Sequence, residues 1–81
     1  MKFIVNIEIM PNKELLDPQG KAVTLGLKNL GLNTVENVRI GKHISFEIEA
    51  ENAEKAKDAA EIACKKLLAN PIMESFIIQV D

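Results

Sequence analysis

The chain has 81 residues, with 10 Lys and Arg against 12 Asp and Glu, a formal net charge of −2, and 47% hydrophobic residues. That length bounds it to one domain, residues 1–81, whose small core gains from self-association. The mixed charge excludes an electrostatic footprint for nucleic acid. No apolar run approaches the ~18 residues of a membrane span, and a single Cys excludes an internal disulfide. The N-terminal "MKFIVNIEIM" alternates polar and apolar residues rather than reading as a signal peptide, so a cytoplasmic protein is expected.

Phe3, Val5, Ile7 and Ile9 fall on one face and Lys2, Asn6 and Glu8, joined by Ile4 and Met10, on the other, which predicts a half-buried strand over residues 2–10. Pro11 ends it. The stretch "LLDPQGKAV" follows. Asp17 is a good N-cap and Pro18 suits the first helical position, so a helix is predicted from there to about Leu30. Gly31 supplies the left-handed position after it. Val23, Leu27 and Leu30 form the expected buried stripe. Gly20 and Gly26 flank that stripe and imply close approach to the sheet, since each costs up to about 1 kcal/mol against alanine.

A second strand is predicted from about Thr34 to Ile40 and a third from Ile44 to Ala50, joined by a Gly41–Lys42–His43 hairpin. In that register Val38 faces Phe46, Ile40 faces Ile44, and Arg39 lies diagonal to Glu47. Asn52 caps a second helix over residues 53–69, with Ala56, Ala60, Ala63 and Leu67 as its stripe and Cys64 beside it. Asn70 and Pro71 stop that helix. Phe76, Ile78 and Val80 mark a last strand. The order is βαββαβ, the α+β ferredoxin-like arrangement: a four-stranded antiparallel sheet with two helices on one face.

Candidate chemistry is sparse. His43 is the only histidine and stands without a Cys or Asp beside it. Cys64 sits on the flank of an alanine stripe and reads as a small core residue. Glu8, Glu47 and Glu49 share the open sheet face, where such charges usually serve solubility. The helix start at Asp17–Gly20 suits an anion, although the Asp17 charge opposes one. For this fold, an acylphosphatase requires an arginine after the first strand and a metal chaperone a Cys-x-x-Cys there; residues 11–20 hold neither. An RNA-recognition module requires aromatics on the open face, but all three Phe fall on the covered one. The residues thus describe a binding or assembly module with no catalytic, cofactor or metal-ligating residues of its own.

"LLDPQGKAV", "LKNLG", "VENVRIGKHISFEIEA" and "CKKLLANPIMESF" together resemble the PurS family over almost the whole chain. The resemblance implies a small accessory subunit of formylglycinamide ribonucleotide amidotransferase (phosphoribosylformylglycinamidine synthase) in purine biosynthesis. It implies a dimer or tetramer that joins a glutaminase subunit and a synthetase subunit and helps ammonia pass between them. ATP and Mg are then used by the synthetase, and this chain binds no cofactor. The expected partner contacts are Gln19, Lys21, Arg39, Lys42 and Asn70. The alternative is a small-molecule-sensing regulatory module of the same topology, which ligand binding by the isolated protein would reveal.

Overall fold

In the first strand, β1 (Lys2–Pro11), the apolar residues Val5, Ile7 and Ile9 are fully buried. A computed structural model describes residues 1–13 and 17–81; the two leucines that open "LLDPQGKAV" lie outside the described residues. β1 is the central strand of a three-stranded antiparallel sheet, flanked by β2 (Lys42–Glu49) and β3 (Glu74–Val80). Val5 pairs with Phe46 and Val80, and Ile7 with Ile44 and Ile78, so the apolar side chains of all three strands share one face.

Helix α2 (Ala53–Ala63) lies on that face against β1 and β3. Its small residues Ala56 and Ala60, with Cys64, are fully buried, and Ala60 and Cys64 close the core over Val5, Ile7 and Ile9. Asn52 caps it, accepting from the Lys55 N–H at 2.9 Å. The stripe departs from the expected one at its end. Residues Cys64–Leu68 form a turn of π-helix, closed by the Ala69 N–H donating to the Cys64 carbonyl at 3.0 Å. The wider turn moves the buried position from Cys64 on to Ala69, which leaves Leu67 82% exposed.

Helix α1 (Pro18–Asn29) forms where predicted, with Asp17 as N-cap, Pro18 at its start and Gly31 at φ +92° beyond its end. Its packing is not as predicted. Val23 and Leu30 are 39% and 76% exposed, and Gly20 is the helix's one buried residue. Only α2, not two helices, covers the sheet. The Cα radius of gyration is 16.1 Å, against about 12 Å for a compact chain of this length.

The predicted strand at residues 34–40 is not a strand, and among the described residues the sheet has three strands rather than four. Asn37 adopts a left-handed φ of 57°, which breaks the extended run. The Ile40 N–H is bonded to the Asp17 carboxylate, so it is not available to a ladder. Arg39 likewise donates to the Pro11 carbonyl instead of reaching Glu47. Lys42 and His43 belong to β2, opposite Ile9 and Glu8, rather than to a hairpin loop.

Candidate functional site

Asp17 ties three segments together. One carboxylate oxygen accepts from the Gly20 N–H at 3.0 Å, as an N-cap should. The other accepts from the Ile40 N–H at 2.9 Å, across 23 residues of sequence. The carbonyl of Val38 lies so close to Gly20 that a Cβ there would collide with it. With Arg39 bonded to Pro11, the start of α1, the end of β1 and residues 38–40 form one junction. None of these long-range bonds leaves a local signal in the sequence.

The Ile40 N–H first, then that of Gly20, holds the Asp17 carboxyl below its ordinary pKa. The resulting stabilisation is present above about pH 4 and lost as pH falls through the lowered pKa. The melting temperature is therefore expected to drop on acidification below that point, and by less in Asp17→Asn, whose amide carries no titrating charge. Thermal scans of both proteins against pH check this.

Four of the five expected contact residues line the two cavities beside this junction. Gln19 and Asn70 line one cavity of about 480 Å³, together with Asp17, Pro18 and Glu74. Lys21 and Arg39 line another, of about 560 Å³, on the other side of Asp17. Lys42 lines neither, but its Nζ lies 3.7 Å from the Glu74 carboxylate. Asn70 stops α2 as expected and also shapes the following turn, its Oδ1 accepting from the Ile72 and Met73 N–H groups at 3.0 and 3.3 Å. Gln19 and Lys21 are exposed.

Other candidates have structural partners. Cys64 is fully buried, and burial, followed by the nearby Glu61 charge, pushes its thiol pKa up, which keeps it protonated and unreactive. Glu47 pairs with Lys2 at 3.5 Å, Glu49 with the N-terminal ammonium at 3.3 Å, and Glu8 contacts His43 Nδ1 at 2.5 Å. Such exposed pairs contribute little individually. Among the described residues, no three His, Cys, Asp or Glu side chains come together as a metal site, and no helix is long and apolar enough to cross a membrane.

A three-stranded sheet with one bare half-face, a helix with unburied leucines and a polar junction between two cavities define a small α+β assembly unit. The model of the PurS family, phosphoribosylformylglycinamidine (FGAM) synthase, matches residues 4–81. The chain is 42% identical over 79 residues to the phosphoribosylformylglycinamidine synthase subunit PurS of Methanocaldococcus jannaschii, covering 98% of this chain and 95% of that protein. Against the PurS subunit of Thermotoga maritima it is 35% identical over 78 residues, covering 96% and 93%. The crystal structure of the M. jannaschii PurS superposes with a TM-score of 0.84 at 38% identity, covering 98% of this chain and 95% of that one. A chain of PurLQS from T. maritima superposes with a TM-score of 0.89 at 32% identity, covering 100% and 99%. The chain belongs to the PurS family, whose members are subunits of FGAM synthase, a glutamine-dependent ligase of purine biosynthesis.

Proposed function

We propose that this chain is the bridging subunit of a cytoplasmic FGAM synthase, holding a glutaminase subunit and a synthetase subunit in register so that ammonia passes between them. The observation that carries this reading is its likeness, over its whole length, to a chain of the T. maritima PurLQS structure. The physics agrees: free ammonia is protonated and lost in water, so two separate sites must be held together. The synthetase uses ATP and Mg; this chain holds neither. Gln19, Lys21, Arg39, Lys42 and Asn70 are the residues through which it meets its partners, four of them lining the two cavities that share Asp17. Gln19→Ala with Lys21→Ala removes two exposed side chains outside the cap, so the melting temperature should stay within about 2 °C of wild type. Affinity for the glutaminase or synthetase subunit should fall about tenfold, read by titration; wild-type affinity for both would count against this surface.

The chain also supplies both halves of a contact with itself. α2 covers β1 and β3, which leaves Ile44, Phe46 and Ile48 of β2 half-buried with no helix over them. Val23, Leu27 and Leu30 of α1 present an apolar stripe with no sheet beneath it. In a two-fold dimer α1 of each copy lies on β2 of the other. Residues 34–40 then lie beside the free outer edge of the partner's β2, and two helices cover each sheet. α1 has 12 residues, so each helix covers a footprint of about 18 by 10 Å. Both surfaces of both contacts, with residues 34–40 laid along that edge, reach the roughly 1,000 Å² a specific interface needs.

A further inference from the structure

We infer that the cavity walled by Lys13, Lys21 and Arg39 binds a small phosphorylated molecule. Three cations and one acid, Asp17, line about 560 Å³ in a chain whose net charge is −2. That volume falls within the usual range of small-ligand pockets, about 300–1,000 Å³. The acid offsets only part of that charge: its oxygens accept from the Gly20 and Ile40 N–H groups, and its one negative charge acts on Arg39. Among the described residues no carboxylate lies within ion-pair distance of Lys13, Lys21 or Arg39.

Arg39 supplies the independent sign of a ligand. Its Nη2 donates to the Pro11 carbonyl, which fixes the plane of the guanidinium. Its Nε is buried and has no acceptor among the described residues. A buried N–H of a charged group left without an acceptor is costly, and a small shift of the Arg39 side chain that opens it to the cavity would let an anion satisfy it. Asn37, held in the left-handed conformation, adds a neutral amide to the same wall. A single carboxylate would neutralise one of the three cations. A phosphate or diphosphate offers two or more charges and several acceptor oxygens to two ammonium groups and a guanidinium. The helix start does not make this site, since Asp17 already occupies it.

The test is titration of the full, self-assembled protein with inorganic phosphate, pyrophosphate and acetate at low ionic strength, followed by amide chemical shifts. Saturable shifts at Lys21, Thr24, Asn37 and Arg39 are expected at millimolar concentration, with pyrophosphate tighter than phosphate and both weakened by salt. Lys13→Gln and Lys21→Gln should each weaken pyrophosphate about fivefold. Gln19→Ala, in the other cavity, should leave it unchanged, which separates this site from the cavity that Gln19 and Asn70 line. Absence of saturation, equal loss in an unrelated Lys57→Gln, or acetate binding as tightly as pyrophosphate would each overturn the proposal.

Discussion

Replacing Val23 and Leu30 together by glutamate is expected to leave this chain folded but monomeric. Both side chains are exposed within one copy, 39% and 76%. Exposed substitutions cost a single fold at most about 0.5 kcal/mol. In the reciprocal dimer the same two residues are buried twice over. Burying each Val or Leu contributes about 1.5 kcal/mol or more, so four lost side chains amount to roughly 6 kcal/mol. That corresponds to about four decades in dissociation constant, before the cost of placing carboxylates on Ile44 and Phe46. Sedimentation at micromolar concentration should show wild type as a dimer or larger and the variant as a monomer with unchanged α2 and sheet signals. A variant that keeps the wild-type mass would place the self-contact elsewhere.

Gly20→Ala and Gly26→Ala are expected to act in opposite directions, although both glycines sit in the same helix beside the same stripe. A Cβ on Gly20 would collide with the Val38 carbonyl, which is backbone and cannot swing aside, and would crowd the Asp17 carboxylate at 3.0 Å. Relieving the clash strains the Asp17–Ile40 bond at the junction. Overpacking of this kind costs about 1–3 kcal/mol, and at 4–8 °C per kcal/mol the fall in melting temperature is large for so short a chain. Around Gly26 nothing lies within 4 Å of the added Cβ. Alanine there gains helix propensity, up to about 1 kcal/mol. Thermal unfolding in the Val23→Glu/Leu30→Glu background, where no second copy contributes, should show destabilisation for the first and stabilisation for the second. A rise for Gly20→Ala would mean that α1 sits farther from residue 38.

The contrast between these glycines marks what the sequence carried. Local chemistry was legible: Asp17, Pro18 and Gly31 bound α1, Asn52 starts α2, and alternation in residues 2–10 and 74–80 made strands with the right faces inward. A helical stripe also announces that a face will be buried. It does not say against what, so Val23, Leu27 and Leu30 read as covering their own sheet. Residues 34–40 have a strand's composition, yet a left-handed Asn37 and the Ile40–Asp17 bond hold them off the sheet of their own chain. The π-turn at Cys64–Leu68 has no composition signal, and it shifts the buried face from Leu67 to Ala69. Of the candidate site, Gln19, Lys21, Arg39 and Asn70 line the cavities beside Asp17 and Lys42 does not, while Lys13 and the orphaned Arg39 Nε were not legible. Their roles depend on which carbonyls and carboxylates the fold brings within reach.

The bridging role is tested most directly by assaying FGAM formation by the glutaminase and synthetase subunits with and without this chain, using either glutamine or ammonia as nitrogen source. The account predicts that glutamine-dependent synthesis requires this chain, falling at least tenfold in its absence, while ammonia-dependent synthesis by the synthetase is nearly unchanged. Full glutamine-dependent turnover from the two partner subunits alone would contradict it.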